Sequence, residues 1–122
     1  MQTPRLPITV GGQSPTVIRV AAQCADVWNT HGRPGASADE VLATTAAQSQ
    51  TIDVVAARAG REPASIRRSY TLFGPWDPPA GRYTYEEVFA SFAAIGIDDF
   101  VLDWPDDADL DSFEIMARDV LN

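Results

Sequence analysis

Gly11-Gly12-Gln13-Ser14-Pro15 places two residues without side chains before a serine that can cap a helix and a proline suited to its first turn. A helix N-terminus built this way offers unpaired N–H groups and the positive end of a dipole, and the glycines let a phosphate approach the backbone closely. The stretch can therefore bind an anion. It can equally be a plain strand-to-helix turn, because short glycine motifs match by accident. Other reactive residues are few. His31 is the only histidine; it could move a proton near neutral pH, although a lone loop histidine is more often a solvent-exposed bystander. Asp103 and Asp106 offer acids or simply a solvated turn. Cys24 is the only cysteine. It is expected on the apolar face of a helix as a core residue rather than a nucleophile, so neither an internal disulfide nor a cysteine-rich zinc site is expected.

Composition removes several chemistries. All nine basic residues are arginines, so this chain supplies no lysine for a Schiff base or for a P-loop. One histidine cannot build a multi-histidine metal centre, and a cofactor-free hydrolase triad is poorly served. The net charge of −8 opposes a general nucleic-acid or anionic-membrane binder. Nine acidic residues against Arg118 from Asp98 onward account for that whole excess, which reads as a solvated, solubilising face. A hydrophobic content of 45% in 122 residues indicates a single folded domain over 1–122, about half the ~250 residues of an eight-unit α/β barrel. Neither a long apolar run nor the apolar core of a signal peptide is present, so the expectation is a cytoplasmic chain without a membrane span.

The elements that would position these residues follow from periodicity and punctuation. Ile8 and Val10 suit a buried strand stopped by Gly11 and Gly12, and a helix from Pro15 to about Ala25 should turn Val17, Val20, Ala21 and Cys24 inward. Ala25–Asn29 reads as a second strand, followed by the Gly- and Pro-rich loop Thr30–Gly35. Ser37-Ala38-Asp39-Glu40 is a capping box that opens a long helix, with Val41 or Leu42, Thr45, Ser49, Ile52, Val55 or Ala56 and Ala59 on one face and Gly60 as its stop. Ile66–Phe73 is a third strand whose arginines, Arg67 and Arg68, suggest an exposed start. After the loop Gly74–Gly81, the capping box Thr84-Tyr85-Glu86-Glu87 opens a helix facing Val88, Phe89, Phe92 and Ile95 inward until Gly96. Asp99–Trp104 is the fourth strand, and the last helix should bury Leu110, Phe113, Met116 or Ala117, Val120 and Leu121. Four strand-helix units of roughly 30 residues predict a parallel α/β sheet whose ligands meet the carboxyl ends of the strands. All three tryptophans, Trp28, Trp76 and Trp104, lie near those ends in sequence; they could wall a bound ring system or plug the barrel top.

The run Pro7-Ile8-Thr9-Val10-Gly11-Gly12-Gln13-Ser14-Pro15, an arginine- and alanine-rich helix and Ala25-Asp26-Val27-Trp28-Asn29 together resemble the carboxyl-terminal half of luciferase-like monooxygenases. Gly60-Arg61-Glu62-Pro63 and the strand Phe100-Val101-Leu102 after Gly96 fit as well, so the likeness covers nearly the whole chain. The resemblance implies half of a TIM (β/α)8 barrel and a flavin- or deazaflavin-dependent oxidoreductase acting on a small organic substrate. It places the phosphate or ribityl tail of flavin mononucleotide (FMN) or a deazaflavin coenzyme at Gly11, Gly12, Gln13 and Ser14, with Trp28, Asn29 and His31 bordering the pocket. Val27 stands where the family often has glycine, an extra side chain able to narrow that pocket. The family's other half supplies much of the ring pocket and the proton-transfer groups, so the chain alone is expected to lack a complete active site. Its unpaired sheet edges call for the missing N-terminal half-barrel or a second copy in a homodimer. The alternative is a non-catalytic, self-associating half-barrel that binds a phosphorylated ligand or none.

Overall fold

A computed structural model describes residues 5–79 and 83–120. Four strands form one parallel sheet in the order β1-β2-β3-β4: β1 (Thr9–Gly11), β2 (Val27–Thr30), β3 (Arg67–Thr71) and β4 (Asp99–Val101). Helices α1 (Pro15–Cys24), α2 (Ala38–Arg58), α3 (Tyr85–Ala93) and α4 (Leu110–Val120) follow them in turn. The expected alternation of four strand-helix units is present. Among the described residues, no helix is long and apolar enough to cross a membrane.

Local chemistry sets the helix boundaries. Ser14 caps α1 by accepting the Val17 N–H, and both capping boxes close reciprocally, Ser37 with Glu40 and Thr84 with Glu87. Asp39, Glu40, Glu86 and Glu87 place negative charge at the positive ends of α2 and α3. Gly60 ends α2 at φ 76°, a left-handed conformation that costs glycine little. Within α2 the residues Val41, Thr45, Ser49, Ile52 and Ala56 are buried as their spacing predicts, whereas Ala59 is exposed beyond the helix end. In α3, Val88 and Phe92 are buried with Phe89 and Ile95 packed alongside. Among the described side chains of α4, Met116 is buried and Leu110, Phe113 and Ala117 are half-buried, while the Val120 side chain lies outside the described residues. Leu121 lies outside the described residues, as do Ala80 and Gly81 of the loop after β3.

Register assigns the two faces of the sheet. Val10 pairs with Trp28 and Trp28 with Arg68, while Thr30 pairs with Tyr70 and Tyr70 with Phe100. Paired residues of parallel strands share a face, and side chains alternate along each strand. These residues pack on the helices. One core joins Trp28 to Ile18, Ala21 and Ala22 of α1 and Ile52 and Ala56 of α2; the other joins Tyr70 to Val41, Val88, Phe92 and Ile97. The opposite face carries Thr9, Gly11, Val27, Asn29, Arg67, Ser69, Thr71, Asp99 and Val101, tied to one another by Asn29–Ser69, Thr71–Asn29 and Arg67–Asp99 bonds. Helices α1, α2 and α3 therefore cover one side and leave the other bare.

Several expectations are corrected. β1 is not buried: among the described residues it pairs on one side only, and Ile8 just before it is 48% exposed. The inward face of α1 is Ile18, Ala21 and Ala22; Val20 and Cys24 are exposed, so Cys24 is not core. The face is rotated because Trp28, in β2, fills the space toward which Ile18 and Ala22 point. β3 and β4 are shorter than predicted, ending before Phe73 and Trp104. Only Arg67 starts β3 exposed, since Arg68 points into the helix side with 7% of its side chain accessible. Its guanidinium donates to Ser49 O (2.9 Å), Ser49 Oγ (2.7 Å), Asp53 Oδ1 (2.6 Å) and Pro63 O (3.3 Å). That full set of partners offsets the cost of removing a charge from water.

Candidate functional site

The carboxyl ends of the four strands form a rim at which the β1–α1 turn, the β2–α2 connection and the segments after β3 and β4 meet solvent. At the β1 end, Gly12 continues the ladder by donating its N–H to Asn29 O (3.1 Å), and its own carbonyl accepts the Trp28 indole N–H (2.9 Å). Gly12 adopts φ 146°, and a Cβ there would stand 2.8 Å from Val17 Cγ1. Glycine is thus required by Val17 and by the backbone, independently of any ligand. Ser14 is committed to capping: its Oγ accepts the Val17 N–H and its carbonyl accepts the Ile18 N–H. The turn therefore has fewer uncommitted donors than its sequence suggests.

Beside this turn lies a cleft of about 340 Å³ lined by Gln13, His31, Gly32, Arg33, Ala36, Glu40, Val41, Thr44, Thr45 and Gln48. The Gln13 side-chain amide donates to the His31 carbonyl, joining the β1–α1 turn to the β2–α2 connection. The His31 ring is exposed, lies 2.9 Å through Nδ1 from Gly32 O and meets Phe73 edge-on at 5.2 Å. In the tautomer with Nδ1–H that bond is a donated one, leaving Nε2 as an acceptor. Arg33 makes only a loose pair with Glu40 at 3.8 Å. Close to Gly32, the buried Tyr70 hydroxyl has no hydrogen bond of good geometry; burial pushes its pKa up to about 12, which the Gly32 backbone offsets only in part.

The other end of the rim is acidic, whereas the formal charges of Arg33 and Glu40 cancel in the cleft. Asp77, Tyr85, Asp103, Trp104, Asp106 and Asp109 surround a hollow of about 230 Å³ after β4. Burial, then repulsion from Asp103 and Asp109, raises the Asp77 pKa above its usual value. Among the described residues, no three His, Cys, Asp or Glu side chains are grouped to hold a metal ion. Asp77 supplies a pH prediction. Its folded pKa exceeds its unfolded one, so its ionised form destabilises the fold at neutral pH, and that cost disappears as pH falls through the folded value. Asp77→Asn should melt higher than the parent at neutral pH, and the gap should close on acidification. A lower melting temperature for the variant at neutral pH would refute this account.

The structure brings together some of the sequence-derived site residues and separates others. Gln13 and His31 share the cleft, Gly12 and Ser14 shape the turn above it, and Gly11 and Asn29 pair on the bare sheet face. Trp28 does not border the cleft; it is fully buried on the helix side. Trp76 is also core, stacked on Tyr83 at 4.4 Å and donating its indole N–H to Ala38 O. Only Trp104 is open, at 80% exposure, so the three tryptophans form no common wall. Sequence reasoning missed Ser69 and Thr71. Ser69 Oγ accepts from Asn29 Nδ2 (2.9 Å), and Thr71 Oγ1 donates to Asn29 Oδ1 (3.2 Å), making a polar cluster on the bare face. The Ser-x-Thr alternation at one end of β3 was the available signal. No protein-family model matches this chain, and no curated protein matches it significantly.

Proposed function

We propose that the chain is the carboxyl-terminal half-barrel of a luciferase-like oxidoreductase, holding the anionic tail of FMN or a deazaflavin at the β1–β2 end of its rim. The observation that carries this reading is the charge layout of the rim. An anionic tail is repelled by Asp77, Asp103, Asp106 and Asp109 at one end and meets Gln13, His31, the Arg33–Glu40 pair and the start of α1 at the other. A parallel sheet with helices on one face and a bare, partly polar opposite face supports the half-barrel part of the reading. The residues fit the tail through Gln13 and the α1 backbone rather than through the Ser14 hydroxyl, which is engaged as a cap. Asn29, Ser69 and Thr71 would meet polar groups nearer the ring, and His31 Nε2 is the side chain placed to accept a proton. When bound, the cofactor supplies hydride transfer or oxygen activation, with the protein binding and orienting it.

Ser14→Asp tests the site without removing its scaffold. Aspartate caps a helix as well as serine and suits the positive end of the dipole, so the melting temperature should hold or rise. The added charge should weaken FMN binding about tenfold or more, as followed by flavin fluorescence, because an adjacent like charge opposes the tail. Unchanged affinity in the variant would remove the tail from this turn. A parent chain that binds neither FMN, a deazaflavin nor inorganic phosphate would instead support the non-catalytic half-barrel, which the committed N–H groups of Gly12, Val17 and Ile18 favour.

A further inference from the structure

We propose that Glu40 is a specificity-determining residue of the cleft: it stands as the built-in counter-ion of Arg33, so that a phosphate group entering the cleft has to take Arg33 from it. The inference deepens the anion-binding reading above and rests on it. Among the described residues that line the cleft, Arg33 is the only arginine and Glu40 the only carboxylate. One pair therefore decides whether the cleft is electropositive or neutral.

Local sequence fixes both partners. Arg33-Pro34-Gly35-Ala36 has the residues of a type II turn, with proline at its second position and glycine at its third. Gly35 adopts φ 81°, and the Arg33 carbonyl accepts the Ala36 N–H at 3.1 Å. The closed turn sets the point from which the arginine side chain starts. Ser37 follows at once and caps α2, of which Glu40 is the third residue. Glu40 Oε2 accepts the Ser37 N–H at 3.2 Å, and Ser37 Oγ accepts the Glu40 N–H at 3.2 Å. The carboxylate is thereby pinned beside the turn.

The arginine is held far less firmly. Its guanidinium meets Glu40 at 3.8 Å, with the two side chains 77% and 63% exposed. A contact that long and that open to water is weak. A phosphate group offers the guanidinium two acceptor oxygens at once and so competes well for it. The bound anion would then lie beside Glu40, whose fixed negative charge opposes it. The pair lowers affinity for every anion, most of all for those of highest charge, and leaves neutral ligands unaffected.

Titrations of the purified chain test this, with FMN and riboflavin followed by flavin fluorescence and inorganic phosphate by phosphorus NMR. Glutamine also closes a capping box, and Asp39 keeps a negative charge at the start of α2, so Glu40→Gln should melt close to the parent. It should bind FMN and phosphate about three- to tenfold more tightly at low ionic strength, a gain that shrinks as salt is added, while riboflavin binding stays unchanged. Arg33→Gln should cost more FMN affinity in the Glu40→Gln background than in the parent, a coupling that a change in helix stability or net charge would not produce. A parent that binds both anions as tightly as Glu40→Gln overturns the inference and leaves the anion reading standing, as does a gain that persists in full without Arg33. If neither the parent nor Glu40→Gln binds FMN or phosphate, the inference and the anion reading fall together.

Discussion

Trp28→Ala is expected to lower the unfolding free energy by about 3–5 kcal/mol, the range for truncating a large aromatic side chain in a packed core. Trp28 is fully buried and touches the core formed by Ile18, Ala21 and Ala22 of α1, Ala25, Ile52 and Ala56 of α2, and Ile66. Most of those neighbours are alanines. They have no spare side-chain length with which to refill the space, so the cavity remains. A domain of this size has a total stability of roughly 5–15 kcal/mol, so the loss is a large share of the whole. Trp28→Phe separates packing from polarity: it keeps most of the ring but strips the Gly12 carbonyl of its indole donor, for an expected further cost of about 1 kcal/mol. Urea denaturation of the three proteins measures both effects. An alanine variant within about 1 kcal/mol of the parent would show that the α1–α2–β2 core is not where the stability lies.

Gly12→Ala is the second large effect. A side chain at φ 146° costs of order 1–3 kcal/mol, and the new Cβ would also lie 2.8 Å from Val17 Cγ1 and 3.3 Å from Val17 Cβ. Overpacking of that kind adds about 1–3 kcal/mol unless α1 moves away from β1. The two causes can be told apart. Val17→Ala should relieve the collision but not the backbone strain, so the double variant should be more stable than the sum of the single changes predicts. Strict additivity would mean that the collision is absorbed at no cost. A Gly12 variant that fails to bind a ligand is uninformative about ligand contact, because the turn itself has shifted.

Legibility followed the range of the interactions. Both capping boxes, the Gly60 stop and the inward face of α2 were readable because each is settled within one or two helical turns. The inward face of α1 was not. Its ten residues carry small apolar side chains on two adjacent stripes, and the choice between Cys24 and Ile18 is made by Trp28, which lies on another element. Arg68 misled for a related reason. Its charge suggested solvent, yet strand alternation beside the exposed Arg67 turns it inward, where Ser49 and Asp53 of α2 await it across a long sequence gap. At the rim, residue type and position along the strand marked Gly12, Gln13, Ser14 and His31, but position does not reveal the face of the sheet. The resemblance places Trp28 at the pocket, but it lies in the core between β2, α1 and α2 and lines no part of the cleft.

Because neighbours in the sheet are also neighbours in the chain, the molecule can assemble in the order of its synthesis. Thr9 pairs with Val27, Val27 with Arg67 and Ser69 with Asp99, so each pairing closes a single strand-to-strand excursion and no late strand inserts between two earlier ones. Loop-closure entropy rises only slowly with length, so the excursion through the long α2 costs less than 1 kcal/mol more than the shortest one. The aspartate-rich segment Asp103 to Asp111 follows the β4 edge directly in the sequence. A row of like charges beside an open strand edge opposes its pairing with the same edge of another copy.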